Sequence, residues 1–202
     1  SLGSKVLQPR SVELAMKYAI KVHVRSSFSK KIGTLVIKEG KRLEKEVVTG
    51  ISSSDDDSKI TLIGISDIPG VASKIFSPLA DANVNIDMIV QNITDDGKFT
   101  NLTFTVSNSE SKKAIEALEK TKIKIKKIHT VNKICKVSII GVGMRSHVGV
   151  AKKMFDTLAK ENINIQVIST SEIKISVLID KRNIKKALIA LHKEFKLHIQ
   201  KW

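Results

Sequence analysis

The chain carries one pattern twice, and that repeat limits the folds open to it. Residues 60–94 read ITLIGISDIPGVASKIFSPLADANVNIDMIVQNIT, and residues 137–172 read VSIIGVGMRSHVGVAKKMFDTLAKENINIQVISTSE. Gly64 matches Gly141 at an offset of 77, whereas Gly70 and Gly149, Phe76 and Phe155, Leu79 and Leu158, and Asn85 and Asn164 match at 79. The second copy therefore holds two extra residues in one loop. A duplicated small unit has two related surfaces, so a ligand of the unit is expected at two related places.

Each copy has the grammar of a strand, a helix, a hairpin and a second helix. Ile60, Leu62 and Ile63 lead to Gly64 as a short strand, after which Pro69-Gly70 opens a helix with Val71, Ile75, Leu79 and Ala82 on one face. Val150, Met154 and Leu158 repeat that face. Asn83-Val84-Asn85 and Asn162-Ile163-Asn164 end the two helices and feed strands at residues 86–90 and 165–169. A hairpin tipped by Asp95-Asp96-Gly97 leads to an alternating strand with Leu102, Phe104 and Val106. A helix over residues 109–120 and a Lys-rich strand around Ile123, Ile125 and Ile128 close the first unit. Ala114 and Leu118 match Ala187 and Leu191 at an offset of 73, so the second hairpin is six residues shorter.

The expected fold class is α+β, with two ferredoxin-like βαββαβ units. Two helices cover one face of a four-stranded sheet, so the other face or an edge should meet a neighbour. Residues 5–37 read differently: Pro9 opens a helix striped by Val12, Ala15, Met16 and Ala19, and strand-like residues 21–25 and 33–37 follow. Residues 47–52 read as another strand, cut from the first unit by the polar run SSSDDDS at 52–58.

Composition excludes several classes. With 42 % hydrophobic residues and no apolar run of membrane-spanning length, the 202-residue chain reads as soluble and globular, with neither a signal peptide nor a membrane partner expected. One cysteine, Cys135, rules out an internal disulfide, fits a cytoplasmic location, and is expected to be a buried thiol. The net charge of +15 raises nucleic acid as a partner, yet the 35 Lys and Arg are scattered, as expected of a solvated basic surface.

Catalytic chemistry finds little support. His23, His129, His147, His192 and His198 have no partner at a telling spacing, no metal-ligand spacing occurs, and Gly141-Val142-Gly143 lacks the rest of a phosphate loop. A binding reading fits better. Asp67-Ile68-Pro69-Gly70 sets free N–H groups of a helix start beside a glycine, which suits an α-carboxylate. The next strand offers Asn85, Ile86 and Asp87, with Gln91 further along, and Asp87 is able to hold an α-ammonium. The competing reading makes Asn83 and Asn85 helix terminators and Asp67 a cap.

The segments ITLIGISDIPGVASKIF with NVNIDMIVQN, and KVSIIGVGMRSHVGVAKKMF with NINIQVISTSEIKISVLID, resemble the tandem ACT domains of the aspartokinase family. GSKVLQPRSVELAMKYAIKVHVRSSF similarly resembles the end of that family's amino-acid kinase domain. The resemblance implies a kinase-domain remnant over residues 1–40, a first ACT domain over 59–130, and a second over 45–54 and 133–202, into which the first is inserted. It implies an effector pocket of Asp67, Pro69, Gly70, Val71, Asn85, Ile86, Asp87 and Gln91, faced by Asn162, Asn164 and Ile165 of the second copy. A quasi-equivalent site would use Met144, Ser146, His147, Val148 and Gly149, although Gln166 replaces the counterpart of Asp87.

By the same resemblance, the effector is lysine, threonine or both, and the module is a homodimer mediating feedback inhibition of aspartate phosphorylation. The catalytic segments, with their ATP and Mg, would belong to a kinase domain upstream. No cofactor or metal is expected in this chain, and no kinase activity of its own. The alternative is a ferredoxin-like nucleic-acid-binding protein, for which the strands at 60–64 and 137–141 lack stacking aromatics.

Overall fold

The computed structural model describes residues 6–37, 47–95, 97–141, 144 and 147–197. Its architecture is set by two long strands. β3 (Gly50–Ser66) and β6 (Lys127–Ile140) lie side by side, antiparallel, at the centre of a six-stranded sheet. On one side follow β5 (Phe99–Ser107) and β4 (Asp87–Ile93), and on the other β8 (Lys174–Asp180) and β7 (Val167–Thr170), giving the order β4-β5-β3-β6-β8-β7. Helices α2 (Val71–Asp81) and α3 (Ser111–Glu119) serve the first unit, and α4 (Val150–Lys160) and α5 (Ile184–Glu194) the second.

Each long strand serves both units. The early part of β3 pairs with the late part of β6, from Gly50 with Ile140 to Ser54 with Lys136, and so becomes the last strand of the second unit. The late part of β3 pairs with β5 as the first strand of the first unit. The first unit is thus inserted in the second. The polar run at 52–58, expected to break the chain, instead lies inside β3. Strand survives there because its polar groups have partners: Ser58 Oγ donates to Asn108 Oδ1 at 2.6 Å, and Asp57 lies against Lys136. Likewise, the expected closing strand around Ile123 and Ile125 begins only at Lys127 and runs without interruption into the second unit.

Two compensating bulges allow this passage. Between the pairs Ser54–Lys136 and Asp57–Ile134 the chain takes three steps on β3 against two on β6, and between Asp57–Ile134 and Lys59–Val131 it takes two against three. Each extra residue reverses the in-and-out alternation of its strand. Both cores therefore stay on one side of the sheet. Ile60, Leu62 and Phe104 pack beneath Ile75 and Leu79 in the first core, and Val137, Ile139 and Val177 beneath Met154 and Leu158 in the second. Val131 and Ile134, separated by the β6 bulge, meet on the opposite face with Met88, Leu178 and Val167. Edge strand β4 reaches β7 over this helix-free face, so the sheet curls.

The repeat is visible in small details. Asn83 and Asn162 are both left-handed, with φ of 51° and 54°, and in each copy the following amide bonds back to the helix, Val84 to Leu79 and Ile163 to Leu158. A Cβ on Gly141 would lie 2.1 Å from the Val47 carbonyl oxygen, so a side chain there would push away the chain entering β3. Cys135 is fully buried in the second core, and burial pushes its thiol pKa up to about 11.

Ahead of the sheet stand α1 (Pro9–Lys17), with proline in its first turn, and the hairpin β1 (Val22–Val24) and β2 (Thr34–Val36). No residue of α1 is buried, and Leu14, Met16, Tyr18, Ile20 and Phe28 are exposed. Because β3 and β6 belong to both cores, Ile60→Ala in the first and Ile139→Ala in the second should each cost about 2–5 kcal/mol. Both should lower the midpoint of one common urea transition followed by circular dichroism. Two separable transitions would contradict the shared pair.

Candidate functional site

Two recesses lie at opposite ends of β4. The first opens at the start of α2, where Asp67, Ile68, Pro69, Gly70, Val71 and Ala72 curve around a space of about 330 Å³ closed by Gln91. Gly70 is the N-terminal cap with φ of +84°, a left-handed conformation that strains any residue with a side chain. An added Cβ would meet nothing within 4 Å, so glycine is set here by backbone angle and not by crowding. Its counterpart Gly149 caps α4 with φ of +95°. The Gly70 carbonyl accepts from Lys74 and the Val71 amide donates to Ile68, which leaves the Ala72 and Ser73 amides of the first turn without an acceptor inside the helix, the arrangement that receives a carboxylate.

Asp67 does not cap α2, since no side-chain hydrogen bond is made at that helix start. Its Oδ1 instead accepts a long 3.5 Å bond from Gln91 Nε2, across the recess and on the exposed side. The β3–β5 pairing brings Asp67 there: Ser66 lies opposite Phe99, and Thr100 opposite Ile93, near the end of β4 that carries Gln91.

Asn85, Ile86 and Asp87 lie at the far end of β4 and line a different recess, of about 380 Å³, with Asp57, Glu110 and Lys136. The residues expected to share one pocket with Asp67 are therefore divided between two recesses within the chain. Lys136 Nζ sits 2.6 Å from Asp87 Oδ2 and 3.5 Å from Asp57 Oδ1, joining β6, β4 and the β3 bulge. Partial burial pushes the Asp87 carboxyl up, but hydrogen bonding and charge from Lys136 outweigh it and hold the pKa below the usual value. Glu110 accepts from Ser107 Oγ at 2.6 Å and from the Asn85 amide at 3.3 Å, fixing the turn into β4.

Neither recess includes Asn162, Asn164 or Ile165: Asn162 terminates α4, Asn164 is exposed, and Ile165 packs against the second core. In the second copy, Met144 packs against that core and Val148 is fully exposed beside His147 and Gly149, while Ser146 lies outside the described residues. Gln166 Oε1, in the place of Asp87, accepts from Lys59 Nζ at 2.7 Å. Asp57 and Lys136 were not legible as site residues. Asp57 lies in a uniformly polar run that resembles a linker, and Lys136 is one of 35 Lys and Arg.

An inserted pair of βαββαβ units sharing one sheet, with glycine-capped helices beside an edge strand, defines a tandem ACT-domain protein. Models of the ACT domain match residues 59–122 and 137–195. The aspartate kinase of Pseudomonas putida is 50 % identical over 200 residues, covering 98 % of this chain and 48 % of that protein. Among solved structures, one of aspartokinase alpha and beta subunits is 47 % identical with a TM-score of 0.69, covering 74 % of this chain and 99 % of that one. The ligand-free regulatory subunit of aspartate kinase from Thermus thermophilus is 39 % identical with a TM-score of 0.70 and the same coverages, 74 % and 99 %. The chain belongs to the aspartokinase family, in its tandem-ACT regulatory part, and spans about half the length of the curated relatives it matches.

Lys136→Met should leave Asp57 buried without a counter-charge and cost about 3 kcal/mol. Asp87→Asn, at a half-exposed partner, should cost less than about 1 kcal/mol. Because folding lowers the Asp87 pKa, its contribution is present above the unfolded-state value of roughly 4 and is lost as pH falls through the folded one. Urea midpoints from pH 7 to pH 3 should thus fall less steeply in Asp87→Asn than in the parent chain.

Proposed function

We propose that this chain is a regulatory module that binds a free amino acid, lysine or threonine or both, at the α2 recess and transmits occupancy to an aspartate-phosphorylating kinase domain. The observation that carries this is the pairing of outward N–H groups at α2 with Asp67 and Gln91 across the same opening. The helix start receives the α-carboxylate, and Asp67 receives an ammonium. Support also comes from the Thermus thermophilus relative, described as a regulatory subunit.

Both recesses are open, and Ile68, Ile89 and Ile93 are exposed around β4. We infer a homodimer in which Asn162, Asn164 and Ile165 of the second unit of a partner chain complete the α2 recess; Asn162 and Asn164 are exposed and so open to such a contact. A cytoplasmic location goes with this reading. Nucleic-acid binding has less to recommend it, since the two central strands, β3 and β6, carry no Phe, Tyr or Trp on which a base could stack.

Binding of lysine or threonine at 100 times its dissociation constant should raise stability by about 2.7 kcal/mol. Thermal denaturation against all twenty amino acids should show that response for one or both, and Asp67→Ala or Gln91→Ala should weaken it at least tenfold. A flat profile would contradict the proposal.

A further inference from the structure

We propose that the groove between α2 and residues 121–124 is a docking site for a partner protein, which adds there an extended segment of alternating acidic and apolar residues. The groove encloses about 640 Å³. Its lysines alone would not single it out in a chain with 35 Lys and Arg. The state of the main chain does.

Residues 122–125 read Lys-Ile-Lys-Ile, with Lys122 and Lys124 exposed and Ile123 and Ile125 half-buried against the first core. That alternation is the pattern of a strand with one covered face. Yet the segment lies outside β6, which begins at Lys127, and none of its amides or carbonyls has a hydrogen-bond partner among the described residues. The facing wall is open as well. Pairing of β3 with β6 stops at Ile63 opposite Lys127, whereas β3 runs on to Ser66, which lines the groove. The ladder therefore parts here and leaves a strand-like run beside a gap. Unpaired N–H and C=O groups in that setting are what an added strand uses.

Side chains decide which strand fits. Ile68, Val71, Pro78 and Ile123 make the walls apolar, and Ile68 is 53 % exposed. The charged groups are Lys74, Lys122 and Lys124, all exposed, and none of them makes an ion pair among the described residues. No carboxylate among the described residues lines the groove. An added strand sets every second side chain against the apolar walls and the others beside the lysines, which calls for apolar and acidic residues in turn. A nucleic acid would meet the lysines, but phosphate has no donor for the free carbonyls, and no aromatic lines the groove for stacking. Ile68 and Val71 also line the α2 recess, so a docked strand touches the same helix start. The docking does not depend on an amino acid in that recess.

The test is fluorescence anisotropy of the chain with a labelled short peptide that alternates Glu and Val, at physiological ionic strength, with amide shifts followed by NMR. Its isomer with the Val residues contiguous and its analogue N-methylated at alternate amides serve as comparisons. Saturable binding is expected, tighter than that of either comparison peptide and weakened about tenfold by the exposed pair Lys122→Gln and Lys124→Gln together. Shifts should centre on residues 122–125 and on α2. Gln91→Ala, which acts on the amino-acid response proposed above, should leave peptide binding unchanged, so the two readings fail separately. Absence of saturable binding, equal binding of the N-methylated or contiguous peptide, or shifts confined to other surfaces would overturn the proposal. So would tighter binding of a single-stranded oligonucleotide that the same lysine pair abolishes, which would give the groove to nucleic acid.

Discussion

The hydrogen-bonded ladder between β3 and β6 is the interaction on which the rest of the structure depends. It is the seam along which one unit has been inserted in the other, and it is continuous because both strands carry a bulge at the crossing. A single bulge would have turned one core to the wrong side of the sheet. Two, one on each strand, restore the alternation, so the helices of both units lie on the same face. The other face is left for the small cluster of Met88, Ile134 and Leu178 and for the polar group around Lys136.

This seam also relates the two recesses. β4 carries Gln91 beside Asp67 at one end and Asp87 beside Lys136 at the other, and it is an edge strand held by β5 on one side only. Its register is interrupted between Asp87 and Val90, where Met88 adopts φ of 46° and turns into the helix-free cluster. A change at the α2 recess thus has a short mechanical route to the second unit: along β4 to Asp87, then through Lys136 into β6. That continuity is the physical basis on which a regulatory role would act.

The repeat, the helix faces and the helix ends could be read from the sequence because each is a local pattern. Val71, Ile75 and Leu79 fall on one stripe, and the Asn83 and Asn162 endings recur with the same geometry. The crossing could not be read in that way. Ser52 to Ser58 has the composition of a linker, and only long-range partners, Asn108 for Ser58 and Lys136 for Asp57, make it strand. The same holds for the site: Asp67 and Gln91 meet through strand register, whereas Asp87 lies at the opposite end of β4, a separation along the strand that a motif does not show. Lys136 gave no signal at all, being one of 35 basic residues.

Hydrogen exchange by mass spectrometry, with and without saturating lysine plus threonine, tests most directly whether the shared seam links the α2 recess to the second unit. The account predicts slower exchange at α2 and β4 and also in β6 beyond its bulge, at residues 134–140 of the second core. Protection confined to α2 and β4, with the second unit unchanged, would contradict it.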